Sequence, residues 1–433
     1  MWRYTLGVVA LWVVNPEIRR LYDWRIGSFE IGLLSILPLL ALMPHVWSLT
    51  IGGGWRRLPP TAAFAAWIWL GAFVYGLFVA VLSGNGISGA YDFLNFVLPA
   101  GVGLWIAADG TPGPVAYRRV TGMLFGLATF TSVYGIVQYC APFPWDKFWL
   151  DSLLAANPPA QAFGYPAPFQ MRVFSTFSDV GAFAFFLALV LLLVLPKVRL
   201  ARPLLLAQVP IWFVAFALTL VRTGWLMFAV GTIAYVVCAP RRGQFVLTLA
   251  LSAALIAGLV MLLPTLTGND DVLTSLNTRV ATFSDLDHDR SHSARENLYD
   301  NGVRIVATAP LGRGLGVIGT ATRLSAGGEP TDFDSGVLGR LLEMGVPGFV
   351  LYVMTFIVLV SAAVRVLLEA QRSEDVERQT LAASALSLAA AIVFLHLSHD
   401  PGALTWLVFW AVECLAVGAL IPRRARAVRL GFA

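Results

Sequence analysis

The chain has 433 residues, of which 58% are hydrophobic and only 13% are charged. A soluble domain carries about twice that charge fraction, so composition excludes an ordinary soluble enzyme. The formal net charge of +5 is mild and almost every cation is arginine. In a membrane chain that bears on topology and anionic head groups before it bears on nucleic acid.

The apolar runs predict an all-α, polytopic membrane protein. Each span needs roughly twenty apolar residues. About twelve spans are expected, near 3–15, 28–48, 61–83, 92–108, 117–138, 178–196, 203–220, 223–238, 244–264, 345–368, 379–397 and 402–421. The first is short and runs into Asn15-Pro16; it has no small-residue cleavage site, so no cleaved signal is expected. The three cysteines, Cys140, Cys238 and Cys414, lie far apart in or beside apolar runs and read as buried hydrophobes.

Positive charge orients this map. With both termini cytoplasmic, the inner ends and loops hold Arg56, Arg57, Arg118, Arg119, Arg241, Arg242, Arg372 and Arg378 among others. The short outer loops at 84–91 and 398–401 hold no Lys or Arg, as the positive-inside rule expects. Arg19, Arg20 and Arg25 break the pattern. Two large loops, 139–177 and 265–333, then face outward. The chain divides into 1–264 with spans one to nine, 265–333 as a loop domain, and 334–433 with the last three spans and a tail.

The polar candidates cluster at the outer face. Arg222, in Thr219-Leu-Val-Arg-Thr-Gly-Trp225, sits between two apolar runs. It reads either as a snorkelling boundary arginine or as an anion ligand at the mouth of the bundle. Arg295 lies on a short amphipathic segment ended by Pro310 and the turn Gly312-Arg-Gly314-Leu-Gly316. Glycines of this kind let backbone N–H groups approach a phosphate. The patch Asp285, Asp287, His288, Asp289 and His292 lacks a complete zinc or calcium spacing and reads as a solvated loop, so no metal is expected. Asp332, Asp334 and Ser335 precede a span, and a carboxylate there acts either as a general base or as a helix cap. His396, His399 and Asp400 form or flank the last outer loop, either facing the same site or lying at a tight turn.

Several stretches together resemble the O-antigen ligase and polymerase family. Leu220-Val-Arg222-Thr-Gly-Trp225 is similar to the family's short arginine motif opening a span. Arg295 followed by Pro310-Leu-Gly-Arg-Gly-Leu-Gly316 is similar to its loop arginine and glycine pattern. Asp334-Ser-Gly-Val-Leu-Gly-Arg-Leu-Leu-Glu343-Met-Gly345-Val-Pro-Gly348 resembles its closing motif, which normally begins His-Asn. Arg172-Val-Phe-Ser-Thr-Phe-Ser-Asp179 resembles a further segment before a span. The likeness covers about residues 170–365.

The resemblance implies a bacterial inner-membrane glycosyltransferase with a large periplasmic loop between spans nine and ten. It implies transfer, with inversion and without metal or cofactor, from a polyprenyl-diphosphate-linked glycan to a sugar hydroxyl. Arg222 and Arg295 are expected to hold the diphosphate, with Arg172, Arg279 and Arg313 as further candidates. Asp334 is expected as the base, with Asp332 and His399 near the substrate. Implied partners are the lipid-linked glycan, membrane lipid and other polysaccharide export proteins, with no nucleic acid. Asp334 stands where the family has histidine, and its unperturbed pKa near 4 makes it a weak base unless desolvated. That departure favours a polymerase over a ligase. The rival readings are a transporter of the same glycans, to which Glu413 and Asp92 would point, and a non-catalytic scaffold.

Overall fold

A computed structural model describes residues 1–28, 33–156, 172–196, 203–239, 299, 302–324 and 335–419. Every regular element among them is helical. They are α1 (Trp2–Ile26), α2 (Leu37–Thr50), α3 (Pro60–Leu82), α4 (Gly86–Ala108), α5 (Gly113–Cys140) and α6 (Pro144–Ala156), followed by α7 (Val180–Val194), α8 (Pro203–Leu218) and α9 (Arg222–Cys238). After these come a short helix over 302–307, α10 (Gly336–Arg372), α11 (Val376–Ser398) and α12 (Ala403–Gly418). Five of them, α3, α4, α5, α10 and α11, are long and apolar enough to cross a membrane. The expected span at 244–264 lies outside the described residues.

Three differences from the sequence reading have local causes. α1 does not stop at Asn15-Pro16 but runs on to Ile26, ending where Gly27 adopts a left-handed backbone. The 139–177 stretch is not all loop: α6 forms inside it. α10 begins nine residues before the expected 345, because its polar first turns are buried in protein.

Two compact units are present. The first comprises the described residues of Met1–Ala41 and Arg119–Thr232. Its centre is Arg20, which is 1% exposed. Arg20 donates to Glu17 at 2.9 Å, to the carbonyl of Phe177 at 2.7 Å and to that of Ser175 at 2.5 Å, and pairs with Asp146 at 3.0 Å. Its guanidinium lies over Phe174 at 4.8 Å. Gln138 donates to Asp146 at 2.9 Å and accepts the N–H of Ser175 at 2.8 Å. Tyr134 and Trp145 both donate to Glu17. α1, α5, α6 and the Val173–Phe177 segment are thereby joined. Arg19 pairs with Asp23 at 3.5 Å. Two of the three arginines that broke the charge pattern are thus ion-paired within the protein and are not free loop cations.

The second unit comprises Leu42–Arg118, Ile233–Pro240 and the described part of Asp287–Ala433. α10 packs on α3 and α11, and α12 on α4. Gly103 lets α4 and α12 approach, since a Cβ there would lie 2.5 Å from that of Trp410. The core is aromatic: Trp69 is within 4.8–5.5 Å, ring to ring, of Phe73, Tyr352, Trp406 and Trp410.

Asp146 lies on α6, outside the apolar spans. Burial pushes its carboxyl up to about 6; Arg20 opposes the rise and Glu17 adds to it. A carboxyl raised above its unfolded value stabilises the fold while protonated and loses that contribution as pH rises through the folded value. The melting temperature in detergent should therefore fall by a few degrees between pH ~5 and ~8, relative to Asp146→Asn, which does not titrate. Parallel pH curves for the two proteins would remove Asp146 as the cause.

Candidate functional site

α10 is broken at Gly345, whose φ of 60° and ψ of −174° are not helical. Glycine tolerates that conformation, and Pro347 follows with no N–H to give. A break inside an apolar helix leaves backbone groups that lipid cannot satisfy. The Pro310–Gly316 loop satisfies them. Arg313 N–H donates to the carbonyl of Leu342 at 2.8 Å, Gly314 N–H to that of Glu343 at 3.0 Å, and Val346 N–H to that of Pro310 at 2.8 Å.

The same loop docks on α3 and α4. Leu315 N–H donates to the carbonyl of Gly76 at 3.1 Å, and the Tyr75 hydroxyl donates to that of Leu311 at 3.0 Å. Gly314 and Gly316 have φ of 95° and 77°. A Cβ on Gly314 would lie 2.3 Å from Cα of Ala80, and one on Gly316 would lie 2.4 Å from the carbonyl carbon of Ser88. The N–H groups of 312 to 316 all have protein acceptors, Gly312 donating to Ala309 at 2.9 Å and Gly316 to Glu343 Oε1 at 3.0 Å. The glycines therefore do not form the phosphate cradle that the sequence suggested. They exist for close backbone packing.

Glu343 connects this corner to a second buried arginine. Its Oε2 lies 2.6 Å from Arg340 Nη1. Arg340, 2% exposed, also meets Asp92 of α4 at 3.2 Å and Asp400 of the α11–α12 turn at 2.7 Å. Its guanidinium lies over Phe96 at 4.2 Å. A buried arginine held by three carboxylates satisfies the rule that buried charges are paired. Sequence reasoning missed this hub. The available signal was Arg340 with Glu343 three residues on, at the head of an apolar run, with Asp92 near another span end.

The start of α10 is seated against the same turn. Ser335 is the N-cap, its hydroxyl accepting the N–H of Leu338 at 3.4 Å. A Cβ on Gly336 would lie 2.8 Å from the carbonyl of His399 and 3.2 Å from Cα of Asp400. Tyr299 donates its hydroxyl to the carbonyl of Leu397 at the end of α11. His399 ends α11 in extended backbone. His396 is a core residue: its Nδ1 faces the carbonyl of Ile392 at 3.0 Å and its Nε2 meets the Tyr352 hydroxyl.

The other predicted residues divide between the units. In the first, Arg172 donates to the carbonyls of Thr219 and Leu220 at 3.0 Å each. These lie at the α8–α9 corner, where Leu220 has φ of 54° and Arg222 opens α9. The structure thus brings Arg172 to the corner that carries Arg222, and Arg172 is engaged there by backbone. Arg222 is half-buried and Arg313, in the second unit, is exposed. Asp332, Asp334, Arg279, Arg295 and the Asp285–His292 patch lie outside the described residues. No group of three or more His, Cys, Asp or Glu side chains among the described residues could hold a metal ion.

Residues 208–353 match the family described as O-antigen ligase. That stretch of the chain is similar to the O-antigen ligase domain. The match takes in the α8–α9 corner with Arg222, the glycine corner and the broken head of α10. It supports membership of the O-antigen ligase and polymerase family, and with it an enzyme of glycosyltransferase type. No curated protein matches the chain.

Gly316→Ala tests the packing role of the corner. A left-handed backbone costs a non-glycine residue about 1–2 kcal/mol before any displacement of Ser88. We expect a melting temperature lower by several degrees and less folded protein in detergent. An unchanged melting temperature would show that the corner yields freely.

Proposed function

We propose that the protein polymerises glycan repeat units by transfer from a polyprenyl-diphosphate donor to a sugar hydroxyl at the periplasmic face of the bacterial inner membrane. The observation that carries this reading is the O-antigen ligase match over 208–353, which includes Arg222 and the glycine corner. Both termini would lie in the cytoplasm, and other polysaccharide export proteins would be partners.

The chemistry follows from what each group can do. The acceptor oxygen attacks the anomeric carbon from the face opposite the leaving group, so the configuration inverts. The bond between that carbon and the phosphate oxygen breaks, and its electron pair leaves with the lipid diphosphate. Arg222 and Arg295 hold the charge that develops there by paired hydrogen bonds to phosphate oxygens, without metal. Arg172 supports Arg222 by fixing the carbonyls of the α8–α9 corner. Asp334 takes the proton from the acceptor hydroxyl. The cap at the head of α10 is supplied by Ser335.

The test is glycan transfer by purified protein with a polyprenyl-diphosphate oligosaccharide in EDTA. A product ladder is expected. Arg222→Ala and Arg295→Ala should lower kcat about 100-fold or more, and Asp334→Ala should do so by a similar factor. A single transfer to a lipid acceptor would make the protein a ligase instead. Binding of the lipid-linked glycan with no product from any donor would make it a transporter or scaffold.

A further inference from the structure

Two strained residues frame the α8–α9 corner. Ser175 and Leu220 have φ of 53° and 54°, in the left-handed region that residues other than glycine rarely adopt. Such a backbone persists only where its surroundings hold it. Here each strained residue has its carbonyl gripped by an arginine. Arg20 Nη2 donates to Ser175 at 2.5 Å, and Arg172 Nη2 donates to Leu220 at 3.0 Å. Each gripped residue also lies close in sequence to the next arginine: Ser175 just after Arg172, and Leu220 just before Arg222.

The segment between the first two arginines is clamped along its length. Arg20 Nη1 donates to the carbonyl of Phe177 at 2.7 Å, and the guanidinium lies over the Phe174 ring. Ser175 gives its N–H to Gln138 at 2.8 Å and its hydroxyl to the carbonyl of Thr131 at 2.6 Å. Val173 N–H donates to the carbonyl of Leu218 at 3.3 Å, which bonds the segment directly to the end of α8. Glu17 and Asp146 hold the guanidinium in this orientation. Stability alone does not call for such an arrangement. A buried arginine with its carboxylates is often no more stable than apolar packing, and strained backbone adds to the cost.

We propose that Arg20 is a positioning residue for the diphosphate end of the donor. It holds Ser175 in its strained conformation, which keeps Arg172 on the carbonyls of Thr219 and Leu220 and fixes the start of α9, so that Arg222 meets the phosphate oxygens. The proposal rests on the transfer reading above. Arg20 does not reach the donor, being 1% exposed; it acts through two backbone segments.

The experiment asks whether Arg20 works through Arg222. Transfer is measured with Arg20→Lys and Ser175→Ala, each in the wild-type and the Arg222→Ala background, well below the melting temperature and per mole of folded protein. Arg20→Lys keeps the buried positive charge and loses the planar fork that spans two carbonyls. Ser175→Ala leaves every charge in place and removes only the hydroxyl bond to Thr131. The expected result is a donor kcat/KM lowered about tenfold by Arg20→Lys and about threefold by Ser175→Ala, because small misplacements of a reacting group slow the chemistry strongly. The acceptor KM stays unchanged. In the Arg222→Ala background neither substitution lowers the rate further, since the side chain they position is gone. A purely structural role gives independent losses, with the same factor in both backgrounds. That outcome overturns the proposal, as do wild-type rates in both variants. Should Arg20→Lys give no folded protein, Ser175→Ala decides alone.

A second measurement distinguishes failure of the transfer reading. Binding of sugar-free polyprenyl diphosphate to the protein in nanodiscs is followed by tryptophan fluorescence. If the wild type transfers nothing, yet Arg20→Lys weakens this binding about fivefold and has no such effect in the Arg222→Ala background, the transfer reading falls and the positioning role stands. If the wild type transfers nothing and Arg20→Lys binds as the wild type does, the positioning role falls as well.

Discussion

The break in α10 at Gly345 is the constraint on which the second unit depends. A helix that stops and restarts inside an apolar segment must have its freed carbonyls and N–H groups met by protein. The chain meets them with another stretch of itself, Pro310 to Val317. That stretch must lie close enough to hydrogen-bond with both halves of α10 and still fit against α3 and α4. Glycine at 312, 314 and 316 is what makes the approach possible. The two motifs, thirty residues apart in thought but joined in space, are one structural device.

Charge follows from this packing. Once the head of α10 is enclosed by protein, Arg340 and Glu343 on it are buried and must find partners. Arg340 reaches Asp92 and Asp400, while Glu343 accepts Gly316 N–H. The first unit solves a similar problem with Arg20, Glu17 and Asp146. In both, an arginine stacked on a phenylalanine collects carboxylates from separate helices. Arginine suits the task because its planar fork offers several donors and its face stacks on rings. Such hubs are costly to break, since removing one partner strands a buried charge at about 3–5 kcal/mol. They therefore fix which helices meet, and in the second unit they also fix the turn that bears His399 and Asp400.

The apolar runs by themselves determined most of the helices. Period and length were enough for α3 to α5, α7 to α9, α11 and α12, because lipid and core impose hydrophobicity along a whole span. The break before Arg222 was also legible, since Val221-Arg-Thr-Gly224 interrupts an apolar run. The likeness to the O-antigen ligase family was legible through Arg222, the glycines and Glu343-x-Gly345-x-x-Gly348, and the match over 208–353 takes in all of them. What only the tertiary structure decided is the use of those residues. Pro16 within α1, α6 inside a supposed loop and the early start of α10 depend on partners far away in the chain. Gly312 to Gly316 read as a phosphate cradle and proved to be a packing surface, because the acceptors of their N–H groups lie on other helices. Arg340, Asp92 and Asp400 are spread over three hundred residues of sequence. Ion pairing acts through space, and no local pattern reports which carboxylates a buried arginine will meet.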